Sequence, residues 1–346
     1  MNISLCLRTA CSILFLFLLQ GFALNAQILP SFGEERTGIS LGSALKIGAG
    51  ARAIGMGESV VSVINDANAM YWNPAGMTQS IGNHVAFSQT QWFGGLQHRF
   101  ASGLYKMDEE SAIGFSIANL NAGSIKVTTE FRPFGTGETI NFGTSAFSLG
   151  YARQFTEQFS AGLTLRYLHE QAGTMRLNGV LFDAGTFYKT GLGTSRFAVA
   201  ISNFGGKLTP SGTVKTQGTS PNFNGGEASA FQSFDPPINF RIGFAMEPII
   251  DSMQAWTVSV QLNHPNDNAE NYALGTEYVR TFSEAFPAKV IIRSGYIVGL
   301  EQGQFSAGAG MHLPINGNEY VLQLDYAYTD LAMLGAIHRF TIGMML

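Results

Sequence analysis

The chain has 346 residues, enough for two ordinary domains or one large β-barrel. Charged residues make up only 13%, while Gly (41) and Phe (27) are abundant, a balance thin in charge for a water-facing surface and rich in what turns and lipid-facing strands need. Twenty Lys and Arg against 24 Asp and Glu leave a net charge of −4, which argues against nucleic acid as a partner.

The first residues read as an address. Arg8 leads into an apolar core at Ile13, Leu14, Phe15, Leu16, Phe17, Leu18 and Leu19, and Leu24-Asn25-Ala26 comes next. This pattern predicts a secretory signal peptide over residues 1–26, cleaved after Ala26 and too short to be a spanning helix. Both cysteines, Cys6 and Cys11, fall in that segment. The mature protein is therefore expected to carry no thiol, which excludes disulfides, thiolate metal sites and cysteine nucleophiles. Losing Arg8 takes the basic count from 20 to 19 against 24 acidic residues, a net of −5. No later apolar run reaches the roughly 20 residues of a membrane helix, so crossing a membrane requires strands.

Residues 48–78 read GAGARAIGMGESVVSVINDANAMYWNPAGMT and differ in kind from the alternating stretches C-terminal to them. Small residues and short apolar spacing (Ala53, Met56, then Val60, Val61 and Ile64) suit one or two short helical turns joined by glycine bends. Gly55 and Gly57 flank Met56 where backbone needs close approach or positive φ. Asn73 precedes Pro74 and is pushed to extended geometry, and Gly76 permits the next turn. Taken alone, such a segment could simply pack its own Tyr71 and Trp72 for stability.

The pairing of Ala51-Arg52-Ala53-Ile54-Gly55-Met56-Gly57 with Asp66-Ala67-Asn68-Ala69-Met70-Tyr71-Trp72-Asn73-Pro74-Ala75-Gly76 resembles the N-terminal signature of the PorV/PorQ family, within the FadL-like outer-membrane barrels. The resemblance implies that this segment is a hatch, or plug, inside a barrel, with residues 27–82 forming a periplasmic lead and the hatch, and 83–346 the barrel. The motif residues it singles out are Arg52, Gly55, Met56, Gly57, Asp66, Asn68, Tyr71, Trp72, Asn73, Pro74 and Gly76. It also implies the outer membrane of a Gram-negative, Bacteroidetes-like cell and a part in type IX secretion. There PorV-like proteins dock and shuttle exported proteins through their C-terminal signal domains. The FadL side of the resemblance implies a channel for hydrophobic small molecules instead. The motif wording is common to the family and separates neither reading.

From about residue 83 the pattern has period two. Tyr320, Leu322, Leu324, Tyr326 and Tyr328 take one face while Gln323, Asp325 and Thr329 take the other. Ile238, Phe240, Ile242 and Phe244 likewise oppose Asn239 and Arg241, and Trp256, Val258 and Val260 oppose Thr257, Ser259 and Gln261. Strands are expected at 83–93, 96–107, 111–120, 143–155, 158–170, 178–190, 194–203, 237–247, 253–263, 271–283, 287–299, 303–313, 318–329 and 337–346. That is an all-β, transmembrane antiparallel barrel of about 14 strands, the even number bacterial barrels use. Alternation alone also suits a soluble sandwich. Loop lengths decide: every second connection is tight, while the long ones, 121–142 and 204–236, fall on the other rim, as periplasmic turns and extracellular loops do. Residues 124–132 look strand-like and are assigned to a loop hairpin, because another membrane strand would spoil the even count.

By parity Arg166, Asp183, Arg241, Glu277, Lys289, Arg293, Asp325 and Arg339 project into the lumen. They either neutralise one another or form a contact surface for the hatch or a cargo segment. Other inward positions are small (Ala112, Gly114, Ser148, Gly150, Gly162, Gly275, Gly308, Gly310), which leaves room for a filler. Aromatics near strand ends, such as Trp92, Phe93, Tyr105, Tyr151, Tyr167, Tyr188, Tyr278, Tyr296 and Tyr328, fit interface girdles. The six histidines are scattered, with no pair at helical metal-ligand spacing, and no phosphate loop occurs. No enzyme activity, cofactor or metal is expected. The expected partners are outer-membrane lipid, exported proteins or a secretion translocon, and a hydrophobic ligand.

Overall fold

Alternating side chains fix which way each strand faces, and antiparallel pairing then carries the sheet round until it closes. The computed structural model describes residues 37–216, 226–228, 231–283, 286–300, 304–316 and 319–346. The expectations for residues 1–36, signal peptide included, lie outside them. The strands are β1 (His84–Gln91), β2 (Gln97–Lys106), β3 (Ser111–Lys126), β4 (Thr139–Gln154), β5 (Phe159–Ala172), β6 (Met175–Lys189), β7 (Arg196–Gly205), β8 (Val214–Thr216), β9 (Gly226–Ala228), β10 (Asn239–Ile250), β11 (Gln254–Pro265), β12 (Asn271–Thr281), β13 (Lys289–Val298), β14 (Gln304–Ile315), β15 (Tyr320–Asp330) and β16 (Ala336–Met345). β8 and β9 form a separate two-stranded ribbon, and the other fourteen form one closed barrel. β16 returns to β1, with Val85 opposite Met344 and Phe87 opposite Ile342. Closure leaves no sheet edge, the condition for a sheet to sit in hydrocarbon.

The outer wall is apolar in the expected register. Phe115, Ile117, Phe147, Leu149, Leu163, Leu165, Phe182, Ile292, Phe340 and Ile342 are all exposed, whereas Ser116, Ser148, Thr164, Gln261 and Thr341, on the opposite register, are buried. The aromatics fall at two levels. Tyr105, Tyr151, Tyr188 and Tyr278 lie toward the rim of short turns; Trp92, Phe93, Tyr167, Tyr296 and Tyr328 lie toward the opposite rim. This spacing is that of two interface girdles around an apolar band.

Turn chemistry closes the short rim. In the β2–β3 turn the Asp108 carboxylate accepts the backbone N–H groups of Glu110 (2.8 Å) and Ser111 (2.6 Å). Those two donors hold its carboxyl below the usual aspartate range. On the other rim the structure departs from expectation in two places. β3 runs on to Lys126 across a bulge between Asn121 and Ser124, and pairs with Thr139–Asn141 of β4. Residues 124–126 are thus a strand continuation, and the hairpin stands above the barrel with its tip at Thr129–Arg132. β5 and β6 likewise extend to meet through Gly173 and Thr174, because the Gly173 φ of 60° permits a two-residue turn.

An outward charge at mid-strand should be costly. Leu149→Arg is expected to lower folding stability in lipid vesicles by about 2–4 kcal/mol. Urea titration of vesicle-embedded protein measures it, with Glu157→Gln in a short turn as the near-neutral control.

Candidate functional site: the lumenal segment and its charge network

Residues 48–80 occupy the interior that the small inward side chains leave open. A short helix α1 (Ala51–Gly55) and a single turn α2 (Ala69–Trp72) are joined by bends, and a 3-10 turn spans Pro74–Gln79. Ala51, Met56, Val61, Ala69, Met70, Trp72, Ala75 and Met77 are essentially inaccessible to solvent. Strands from every side of the barrel touch the segment. Its backbone runs so close to the wall that a methyl group would not fit at several inward glycines. A Cβ at Gly162 would lie 2.6 Å from the Pro74 carbonyl carbon, and one at Gly275 would lie 2.6 Å from the Met56 oxygen. Gly295 lies directly against Gly57, whose φ of 60° turns the chain there, and Gly185 lies directly against the Asn73 side chain.

Asn73 organises the closing turn. Its φ of −160° is extended, as a residue before proline prefers, and its Oδ1 accepts the Ala75 N–H at 3.1 Å, which caps the 3-10 turn with Pro74 at its first position. Its Nδ2 donates to Val61 O (2.9 Å) within the segment and to Thr186 O (3.1 Å) on β6. The Trp72 indole N–H donates to Ala49 O at 2.8 Å, and the Tyr71 hydroxyl donates to Leu45 O at 2.9 Å. Each buried aromatic therefore satisfies its polar handle on the N-terminal chain, Trp72 within the segment and Tyr71 just ahead of it. Gly76 is pressed against Ile64, where a side chain would collide with backbone.

Arg52 joins segment to wall. Its Nε and Nη2 bind the Glu277 carboxylate at 3.0 and 2.9 Å, and its Nη1 meets Asn65 Oδ1 at 2.7 Å and Asp66 Oδ2 at 3.3 Å. Glu277 also accepts Arg293 Nε at 2.6 Å, and Arg293 Nη1 reaches Asp325 at 2.6 Å. Asp66 in turn accepts the Asn68 N–H at 2.8 Å, shaping the turn into α2. Arg166 and Asp183 form a second pair at 2.6 Å, steadied by Asn203, whose N–H donates to Asp183. Arg241 donates to Ser202 Oγ and lies over Trp72 and Tyr71, its guanidinium carbon 5.3 and 5.9 Å from the two rings. Arg339 donates to Thr90 Oγ1 at 2.6 Å. Among the described residues neither Arg241 nor Arg339 has an ion-pair partner within 4 Å. Lys289 shares the inward register but stands exposed at the short-turn mouth. Self-neutralising pairs and contacts with the segment therefore coexist within one set of charges.

Several contacts to the segment were not singled out from sequence. Gln261 Oε1 accepts the Val60 and Val61 N–H groups (3.1 and 2.9 Å), Thr341 Oγ1 accepts the Ala51 N–H (2.8 Å), and Arg196 donates to Ser62 O (2.7 Å) while paired with Glu247. The signal available was the polar residue at inward parity; no periodicity says which of these meets a peptide group.

Residues 39–46, within the stretch expected as a periplasmic lead, lie against the long-loop half of the barrel. Ser40 bridges Asp235, Lys46 pairs with Asp267 at 2.8 Å, and Leu45 packs with Leu168, Leu177, Leu181 and Leu208. All of these partners belong to the long-loop half. The segment thus passes through the lumen from that rim and leaves by the short-turn rim, where Asn83 and Leu346 exchange backbone hydrogen bonds. The apolar Leu41 and Leu45 find their burial among the leucines of β5, β6 and the β7–β10 loop, which sequence order does not reveal.

Fourteen antiparallel strands closed into an apolar-walled barrel, with an N-terminal segment folded through the lumen, make a fold shared with FadL-like outer-membrane channels. Its solved likenesses agree in fold. The CymD monoaromatic hydrocarbon channel gives a TM-score of 0.58 at 13% identity, covering 86% of this chain and 96% of that one. The Ralstonia pickettii toluene transporter TbuX gives 0.54 at 11% (86% and 97%), and a Pseudomonas aeruginosa FadL homologue 0.56 at 10% (86% and 97%). No curated protein sequence matches the chain. The family described as Type IX secretion system protein PorV matches residues 33–265, more than half of the chain, and the protein belongs to that family.

Removing the guanidinium that spans Asp66 and Glu277 leaves buried carboxylates short of a partner. Arg52→Ala should destabilise the protein by about 3–5 kcal/mol, read as a shift of the chemical-denaturation midpoint in detergent. Gly295→Val should displace Gly57 from the wall while leaving the barrel closed, and so raise the single-channel conductance of planar bilayers holding the protein.

Proposed function

We propose that this barrel is a type IX secretion component that binds exported proteins at its long-loop rim while its lumenal segment acts as a hatch that keeps the tube shut. The family match carries this reading: residues 33–265 include the lumenal segment and both long connections, 121–142 and 204–236. The loop geometry supports it. The β3–β4 hairpin rises beyond the girdle and presents Phe131 and Phe134 at 93% and 95% exposure, aromatic side chains of the kind that anchor a partner surface. In this reading the chain acts in the outer membrane of a Gram-negative, Bacteroidetes-like cell after loss of residues 1–26. Its cargo carries C-terminal signal domains, and a translocon partner docks on the same rim.

The second reading is a channel for hydrophobic small molecules. The names of the solved likenesses favour it, two of them being a monoaromatic hydrocarbon channel and a toluene transporter. In that case the methionines and aromatics around the hatch would contact ligand, and hatch movement would open the path.

Deletion in the native host distinguishes the two. Signal-domain proteins should accumulate in the periplasm if the first reading holds, and normal export with lost growth on hydrophobic substrates would establish the second. Asn73→Ala combined with Pro74→Ala removes the cap and both side-chain tethers of the closing turn. Antibiotic permeability should rise in that variant; unchanged permeability would count against a plugging role for this turn.

A further inference from the structure

We propose that the short-turn mouth of the lumen is a binding site for a primary alkylammonium, an apolar stem carrying an –NH3⁺ head. A cavity of about 340 Å³ opens there, between residues 65–68 of the lumenal segment and strands β1 and β12–β16. Its two ends differ in chemistry. Val279, Pro314, Val321 and Met345 line the outer part, at the ends of their strands, and form an apolar collar. Four residues further in along the same strands, about 13 Å of extended chain, stand Asp325 and Thr341, with Glu277 two residues beyond Val279.

The inner end carries an excess of acid. Asp66, Glu277 and Asp325 face the guanidiniums of Arg52 and Arg293, which leaves one net negative charge, and the Lys289 ammonium sits exposed at the rim where solvent screens it. Both oxygens of Glu277 are taken by Arg52 and Arg293. Asp325 is different. Its Oδ1 accepts Arg293, whereas its Oδ2 has no hydrogen-bond donor among the described residues and stands 3.9 Å from His312 Nε2, beyond hydrogen-bonding distance. His312 Nε2 is itself buried with no hydrogen-bond partner among the described residues. Both side chains line the cavity.

An ammonium head meets these requirements together. It donates to Asp325 Oδ2 and, with His312 in the neutral tautomer whose Nε2 accepts, to the imidazole as well; it also cancels the residual negative charge. The stem of three to eight carbons then lies in the collar, about 0.8 kcal/mol favourable per buried methylene. A carboxylate head in the same place would face the unpaired oxygen of Asp325. The inference is independent of the secretion and channel readings, since it concerns only this mouth.

The test uses full-length protein in nonionic-detergent micelles. Hexylammonium and hexanoate are titrated in parallel by isothermal calorimetry, with empty micelles as the blank. Hexylammonium should bind at least about tenfold more tightly than hexanoate, because the stems are equal and only the head charge differs. Val321→Trp fills the collar without touching a charge and should weaken hexylammonium binding by a similar factor, and Asp325→Asn should weaken it too. Retention of the heat-modifiable band on a gel identifies folded variants. Equal affinities for the two heads in the wild-type protein would overturn the proposal whatever the variants do. Undiminished binding to folded Val321→Trp would overturn it as well.

Discussion

Contact between backbone and backbone inside the tube is the constraint on which the rest of this structure depends. A fourteen-stranded barrel encloses more space than its own inward side chains can fill when so many of them are glycine, alanine and serine. Those small residues are not spread evenly. Gly162, Gly185, Gly275 and Gly295 lie where Pro74, Asn73, Met56 and Gly57 approach the wall, and there the absent Cβ is what permits contact. Wall and filler are complementary at the level of main chain, so a side chain added on either surface acts on both.

Packing of this kind leaves peptide groups of an irregular segment facing a sheet whose own ladder is already satisfied. Each such group costs free energy unless a side chain reaches it. Gln261, Thr341, Asn73, Ser259 and Arg196 supply those partners, and Arg52 supplies the ionic one. The charges then have two distinct settings. Arg166 with Asp183 pairs two wall strands, and the segment meets this pair only through the Tyr71 ring, 6.0 Å from the Arg166 guanidinium carbon. The chain from Asp66 through Arg52, Glu277 and Arg293 to Asp325 crosses from segment to wall, so it registers the position of α1 against β12–β15.

The barrel was legible because each strand reports its own facing by parity. The placement of Leu149 outward and Ser148 inward follows from two adjacent letters, and the fourteen strands follow from fourteen such runs. Strand ends were less legible. The bulge after Asn121 lets β3 continue past what looked like a loop, and bulges carry no periodic signal. The lumenal segment could be recognised from its paired motifs, and Asn73 from the proline after it. Its direction could not be recognised, because the partners of Ser40, Leu45 and Lys46 lie more than about one hundred and twenty residues away, on strands and loops whose approach depends on the whole sheet having closed.

That direction bears on how the two rims divide their tasks. Residues 39–46 occupy the long-loop half, held by Asp235, Asp267 and a cluster of leucines, and this end of the lumen is packed with apolar side chains. The short-turn end instead keeps its charge network beside an open cavity. A segment that enters at one rim and leaves at the other cannot be withdrawn by a simple swing at one mouth, since both ends are tied. In the proposed hatch role, opening would begin where the contacts are polar and water can replace them, at Arg52 and Asp66, rather than among the leucines, where exposure would cost apolar burial with nothing in return. On that proposal the physical asymmetry of the filler would make the short-turn half the yielding one and leave the long-loop half as the platform beneath the Phe131 and Phe134 hairpin.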